Sequence, residues 1–305
     1  MIHTITLNPA VDRILYLDKY TSGVTNRLTK TVDHLGGKGT HVSINLKVLG
    51  VESVAHGIVF GDTGKRVLEL LSEAEINTHF ILHKGRETRT NYLLVEDGGT
   101  CTILANHGVD LTDDEIEEFI DFISEEIEDG DILVFAGDAS NCPDPYVYNK
   151  IMRAFADKHV KVVMDASGDT LKKCIEEKPF MIKPNQDELS YIVGRPLETK
   201  DDIKEAMKSL EDLGISVVAV SLGAEGSIVY HDGKYYEAQP YKVNVKNTIG
   251  CGDCYLSGLI YGASMGYPFE KALKIATAIS AACAESELSV GFDLARAKEL
   301  AGEDF

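Results

Sequence analysis

Hydrophobic positions change period repeatedly along this chain. Short apolar runs, the mark of buried strands, alternate with stretches in which apolar residues recur every three to four positions, the mark of a helix with one buried face. Ile2–Leu7 reads as a strand ended by Asn8-Pro9, and Ile14–Leu17 and Arg27–Val32 as two more, with Gly23 marking the turn between them. Gly36-Gly37-Lys38-Gly39 leads into a helical pattern over Val42–Leu49 that stops at Gly50. Ser53–Val59 predicts a strand, and Asp62 the cap of a helix running to Ala74. Asp97-Gly98-Gly99, between Arg89–Val95 and Thr100–Leu104, predicts a hairpin. Leu111–Asp129 reads as an acidic amphipathic helix, opened by a capping box of Thr112 and Glu115.

From residue 132 the alternation is regular. Strands are predicted at Ile132–Phe135, Val160–Met164, Phe180–Ile182 and Ser216–Val220, with helices at Pro145–His159, after Ser167, from Gln186 and over Asp201–Leu213. This predicts an α/β fold with a mostly parallel sheet covered on both faces. Ser227–Tyr230 and Lys234–Tyr236 form a hairpin around Asp232-Gly233, and Gly252 onward reads as largely helical, with Tyr255, Leu256, Leu259, Ile260 and Ala263 on a buried face. No repeat or linker divides the chain, so residues 1–305 read as one domain. The early hairpin strands, about 13–34 and 89–105, are too short for a core of their own. They predict a small sheet packed over the mouth of the main one, placed to act as a lid.

Composition narrows the function. The formal net charge over 305 residues is −19, which disfavours a nucleic-acid partner because phosphate backbones repel such a surface. The same field opposes anionic small molecules, so any bound phosphate must be held by local cations and backbone N–H groups. No apolar run approaches a membrane span and no leader pattern precedes the first strand, so no membrane partner and a cytoplasmic location are expected. Six cysteines, at 101, 142, 174, 251, 254 and 283, are too sparse for a disulfide scaffold and fit a reducing compartment.

Four segments carry candidate chemistry. Gly250-Cys251-Gly252-Asp253 opens an apolar-faced helix; its glycines let a ligand approach the backbone, and helix N-terminal N–H groups hold anions. A carboxylate beside such a site repels phosphate unless it has a task, and general base for a hydroxyl is one such task. The plainer alternative is a glycine-rich turn with a capping Asp. Gly36-Gly37-Lys38-Gly39 repeats the arrangement with a cation, or is an ordinary strand-to-helix turn. In Lys183-Pro184-Asn185-Gln186-Asp187-Glu188, Asn185 and Glu188 share one side of a first helical turn, where they order water around Mg²⁺ or simply cap the helix. Ser221-Leu222-Gly223-Ala224-Glu225-Gly226 and Asp165-Ala166-Ser167-Gly168 lie beyond strand carboxyl ends, where ligands bind in open α/β sheets.

The order of these motifs, with Asn8-Pro9-Ala10-Val11-Asp12 at the start and Thr88-Arg89 between, resembles the ribokinase/PfkB sugar kinases over about residues 2 to 285. It is most similar to the branch containing 1-phosphofructokinase and tagatose-6-phosphate kinase. The resemblance implies a three-layer ribokinase-like fold with a lid, and ATP-dependent phosphorylation of a phosphosugar, fructose 1-phosphate first. Tagatose 6-phosphate, fructose 6-phosphate and an unphosphorylated sugar or nucleoside are the other substrates, and an idle sugar-phosphate sensor is the non-enzymatic alternative. It implies Asp253 as the catalytic base and Gly250, Cys251 and Gly252 as its anion hole. Asp12, Gly37, Lys38, His41 and Arg89 are implied at the sugar, with Lys38 and Arg89 near its phosphate. Lys183, Asn185, Ser221, Gly223 and Gly226 are implied on the ATP side, Glu188 at Mg²⁺, and a homodimer through the lid.

The chain departs from the family's pattern in places. His41 replaces the usual Asn, Ile103 and Ala105 replace polar lid residues, and Phe135-Ala136-Gly137-Asp138-Ala139-Ser140 replaces S-G-S-[LI]-P. Asp138 would repel a second phosphate there, which bears on the identity of the sugar. Cys251 and Cys254 form a C-x-x-C whose helix position would lower a thiol pKa and suit a redox switch; the plainer reading is two small residues in a tight turn.

Overall fold

The computed structural model describes residues 1–137, 139–286 and 290–305. Its spine is a nine-stranded sheet. β1 (Ile2–Thr6) lies at its centre, and β2 (Ala10–Leu17) and β3 (Lys30–Gly36) leave it for a separate small sheet before α1 (Lys38–Val48) returns. The chain then adds β4 (Val54–Phe60), α2 (Gly61–Glu73) and β5 (Asn77–His83) on one side of β1. β6 (Arg89–Glu96) and β7 (Cys101–Leu104) complete the small sheet, in the order β3-β2-β6-β7. After α3 (Asp113–Ser124), the strands β8 (Ile132–Ala136), β9 (Lys161–Asp165), β10 (Met181–Ile182) and β11 (Val217–Ser221) add in sequence on the other side of β1. Their connecting helices are α4 (Val147–Ala154), α5 (Gly168–Cys174), α6 (Gln186–Val193) and α7 (Lys200–Asp212). The antiparallel pair β12 (Ser227–His231) and β13 (Lys234–Ala238) closes that edge, and α8 (Cys251–Ser264), α9 (Phe269–Ala284) and α10 (Leu294–Ala301) end the chain. From β5 to β11 every pairing in the large sheet is parallel.

Strand alternation builds the layers. Leu133 and Phe135, Val162 and Met164, and Val218 and Val220 face a core completed by α3, α4 and α7. Val134 and Ala136, Val163, and Val217 and Ala219 face α1, α8 and α9. Both faces are dry, so the strands read as continuous apolar runs. β2 and β3 pack through Val11 and Leu35 against Val67 and Leu71 of α2, which ties the small sheet to the body.

Several boundaries differ from the sequence pattern for identifiable reasons. β3 runs Lys30–Gly36 instead of Arg27–Val32, because Asp33 stands opposite Arg13 in the ladder and accepts from its Nε and Nη2 at 2.7 and 2.9 Å. β5 is an edge strand whose polar residues Asn77, Thr78 and His79 mask its period. Phe60 is the N-cap of α2; Asp62 lies inside the first turn and caps nothing. The helix expected at 145–159 is α4 followed by a short 3₁₀ turn, Ala156–Lys158. α1 begins at Lys38, four residues before its apolar pattern, so the glycine-rich segment forms its N-terminus. Among the described residues no helix is long and apolar enough to cross a membrane.

The end of the sheet opposite the strand carboxyl termini holds a chain of buried histidines. His3 Nε2 is 3.0 Å from Asp131 Oδ2, and His3 Nδ1 is 2.8 Å from His56 Nε2. Asp131 also pairs with the N-terminal amine. Asp131 accepts from His3 Nε2–H; burial keeps the His3 ring neutral, so its Nδ1 accepts from His56 Nε2–H. His79 meets His56 edge-on and stacks on Phe122 of α3. Burial, then the neighbouring His3 and His79, push His56 down to about 3. A depressed histidine contributes stability above its unfolded value near 6.5 and loses it as pH falls toward 3. The unfolding free energy should therefore be about 2 kcal/mol smaller at pH 5 than at pH 7, and His56→Leu should remove much of that slope. Urea titrations at the two pH values would reject this account if the two proteins show the same pH dependence.

Candidate active site

Parallel strands all end on one side, and ligands gather where the strand order reverses. Here the order reverses at β1, with β4 added to one side and β8 to the other. At that point lies a cavity of about 360 Å³, lined by residues that end or follow β1, β8, β9 and β10, by the N-termini of α1 and α8, and by the first residue of β6.

The two helix N-termini share a design. Gly37 caps α1 with φ 108° and Gly250 caps α8 with φ 81°, left-handed values that favour glycine. Both glycines line the cavity, as does Gly252, so the first-turn N–H groups, which have no intrahelical acceptor, are placed at its wall. Cys251 does not line it. Its N–H points at the Thr248 carbonyl at 3.4 Å, and its sulfur lies 3.8 Å from the Asn247 carbonyl oxygen.

Charge is concentrated in this space. Asp165, at the end of β9 and 2% exposed, lies 3.1 Å from Lys183 Nζ and 3.4 Å from Lys38 Nζ. Burial alone would raise its carboxyl, but Lys183 and Lys38 outweigh burial and hold it below the usual range. Asp165 in turn raises Lys38, with further help from the charges of Asp253 and Glu188. Lys183 is itself 5% exposed, and its ammonium reaches toward Gly252. Arg89 also lines the cavity, braced by the carbonyls of Asn8 at 2.7 Å and Asn106 at 3.1 Å.

Asp253, in the first turn of α8, lines the cavity with only its edge exposed. Its Oδ2 is 2.8 Å from His41 Nδ1, and His41 Nε2 is 3.0 Å from the Leu35 carbonyl oxygen. Both ring nitrogens of His41 are therefore engaged by protein, and neither is left for the direct sugar contact expected of it.

Of the residues singled out from sequence, Gly37, Lys38, His41, Arg89, Lys183, Gly250, Gly252 and Asp253 share the cavity. Asp12 stands beside it on β2, accepting from Asn91 Nδ2 at 2.8 Å. Asn185 and Glu188 form a reciprocal capping box on α6, with bonds of 2.8 and 2.9 Å, and Glu188 still projects its charge toward Lys38. Ser221 ends β11 and bridges to Asn185; Gly223 and Gly226 follow in a short turn against the Ala238 carbonyl. Thr6, Asn8, Gly137 and the pairing role of Asp165 were not singled out from sequence. An acid directly after the apolar run Val160–Met164 was the available signal for Asp165. Asp138 lies outside the described residues.

The thiols behave differently from the helix-terminus expectation. Cys251 and Cys254 are free. A hydrogen bond with Cys283, then burial, pushes the Cys251 thiol up rather than down. Among the described residues no three His, Cys, Asp or Glu side chains are grouped to hold a metal ion.

Three comparisons place the chain. The model of the pfkB family carbohydrate kinases matches residues 5–291. The 1-phosphofructokinase of Bacillus subtilis (strain 168) is 33% identical over 287 residues, 94% of this chain and 93% of that protein. The tagatose-6-phosphate kinase of Staphylococcus epidermidis (strain ATCC 12228 / FDA PCI 1200) is 31% identical over 283 residues, 91% of this chain and 90% of that protein. In structure, phosphofructokinase-2 from Escherichia coli in complex with potassium superposes with a TM-score of 0.94 over 99% of this chain and 98% of that one, at 24% identity, a likeness of fold.

The Asp165 bridge predicts a measurable cost. Asp165→Asn leaves two crowded ammonium groups without their counter-charge and should lower unfolding free energy by about 3 kcal/mol. Added inorganic phosphate should stabilise the variant more than the parent, because the anion replaces the missing charge. Equal stability of the two proteins in urea, with and without phosphate, would contradict this.

Proposed function

The chain belongs to the pfkB family of carbohydrate kinases, and from that premise we propose that it moves the γ-phosphoryl group of ATP to a hydroxyl of a phosphorylated ketohexose, fructose 1-phosphate first. One observation carries the reading: a carboxylate at a helix N-terminus shares one cavity with Lys38, Lys183 and Arg89 in a chain of net charge −19. A cavity for neutral sugar alone has little use for three cations.

In this reading Asp253 takes the proton of the attacking hydroxyl as its oxygen meets the γ-phosphorus in line, while the bond to the bridging oxygen breaks toward ADP. The N–H groups of Gly250, Gly252 and Asp253 at the start of α8 and the Lys183 ammonium stabilise the charge spread over the transferred group; Cys251, turned to Thr248, takes no part. Lys38 and Arg89 hold the phosphate the sugar already carries, with Arg89 presented at a fixed angle by its two backbone carbonyls. Asp12 and Gly37 position sugar hydroxyls. The small sheet closes over them as a lid.

ATP lies along Lys183, Asn185, Ser221, Gly223 and Gly226. A second cavity, about 290 Å³, is lined by Tyr236, Ala238, Leu273 and Thr277 and begins beside Gly226, which suits the nucleobase. Glu188 with Asn185 would hold Mg²⁺ through water, as suits an ion that keeps most of its hydration, and the ion would supply charge neutralisation at the phosphates. Tagatose 6-phosphate is the second candidate sugar, on the similarity to the Staphylococcus epidermidis enzyme.

A homodimer is proposed through the small sheet. Its outer strand β7 is exposed along its whole length, and Tyr92, Ile103 and Leu104 present apolar surface there. Ile103→Lys should shift the sedimenting species toward monomer; an unchanged mass would set this interface aside.

A coupled ADP-release screen over phosphorylated and free sugars tests the reading. One phosphoketohexose should stand out. Asp253→Asn should keep ATP binding and lose turnover by about 10³-fold. Arg89→Ala should raise KM about 10- to 100-fold for phosphorylated sugars and leave free sugars little changed. ATP binding without turnover of any phosphosugar would point to the sensor instead.

A further inference from the structure

The kinase reading gives Asp253 a task but leaves its neighbour unexplained. His41 is 6% exposed, with the Leu35 carbonyl oxygen 3.0 Å from Nε2 and Asp253 Oδ2 2.8 Å from Nδ1. A carbonyl oxygen only accepts, so Nε2 carries a hydrogen. One ring then stands between two acceptors, and a proton must lie between Nδ1 and Oδ2. Without it, two lone pairs would face each other at 2.8 Å away from water, with no hydrogen bond to offset the repulsion.

We propose that His41 is a positioning residue for the base: an imidazolium braced on Leu35, it holds Asp253 Oδ2 and leaves Oδ1 to receive the proton of the substrate hydroxyl. This rests on the reading of Asp253 as the base. The brace survives the transfer. When Oδ1 takes the proton, Oδ2 becomes the carbonyl oxygen of a carboxylic acid and still accepts from Nδ1–H. The hydroxyl electron pair forms the new bond to the γ-phosphorus, and the pair of the broken P–O bond stays on ADP. The proton leaves with the products or to solvent. An Asn at position 41 would reach Asp253 with its amide but would carry no ionisation, so the histidine adds pH sensitivity to the step.

The charged surroundings decide the sign. Asp253 faces His41 from α8 and Asp12 from β2, and both favour the cation. His34 of β3 opposes it if protonated, and Lys38, on the first turn of α1, competes for the Asp253 charge. Lys183 stands beyond Gly252. Burial alone would lower the His41 pKa; the bond and charge of Asp253, the charge of Asp12 and the Leu35 carbonyl outweigh it, so the imidazolium persists above 6.5. The brace is then present below the His41 pKa and is lost as pH rises through it. kcat should fall on that alkaline limb, with KM little changed.

Two variants separate positioning from packing. His41→Asn keeps a donor where Nδ1 stands; His41→Gln carries its amide one carbon further, toward Leu35. Asn should lower kcat by less than about tenfold and flatten the alkaline limb, whereas Gln should lower kcat about 10²-fold with KM within about twofold. An unchanged limb in the Asn variant, or equal losses in the two, overturns the proposal. ¹⁵N NMR of the histidine rings needs no substrate: His41 should be an imidazolium at about pH 6 in the parent and neutral in Asp253→Asn. A neutral ring in the parent also overturns it. Failure of every phosphosugar in the ADP screen would instead remove the substrate assignment and leave the NMR result standing.

Discussion

Two lysine ammonium groups meet one buried carboxylate at the heart of this molecule. Asp165 is almost wholly inside, and Lys183, from the next strand, is nearly as deep. A buried charge without a partner is expensive, so Asp165 and Lys183 depend on each other, and the partly exposed Lys38 adds a second counter-charge. In a chain of net charge −19, cations able to hold phosphate must be concentrated in one place. Asp165 does this by drawing Lys38 from α1 and Lys183 from the end of β10 to one point. The arrangement aims both lysines before any ligand arrives, which lowers the cost of ordering them on binding.

The sheet makes that meeting possible. Thr6, Gly37, Arg89, Gly137, Asp165, Lys183 and Gly250 are far apart in sequence, yet each ends or follows a strand, opens a helix or opens a lid strand at the same end. Parallel pairing brings the strand ends into register, and the reversal at β1 parts the loops to leave space between them. The two capped helices, α1 and α8, pack side by side on one face, so their N-termini converge on that space. The same packing presses His41 against Asp253.

Much of this was legible in the residue pattern. The capping box at Thr112 and Glu115 and the one at Asn185 and Glu188 are local interactions, complete within four residues, and both form. The buried strands from Ile132 to Ser221 show as apolar runs because both faces are covered. β5 stayed hidden, since an edge strand with Asn, Thr and His has no clear period. The start of β3 was displaced because the Arg13–Asp33 pair, a cross-strand contact, outweighs the local preference of Arg27–Val32. The Cys251 thiol moved opposite to the helix-terminus expectation, because Cys283 of α9 approaches it from a distant part of the chain.

The sequence by itself determined the alternation of strands and helices, the glycine-rich helix starts, and the set of cations and carboxylates available for chemistry. These follow from local sterics and from the period of buried faces, which act within a few residues. Only the tertiary structure decided that Asp165 bridges two lysines, that His41 turns both nitrogens to protein, and that Cys251 faces away from the cavity. Each of those depends on a partner far along the chain, and electrostatic coupling across a closed site is set by distances in space that no spacing in sequence encodes.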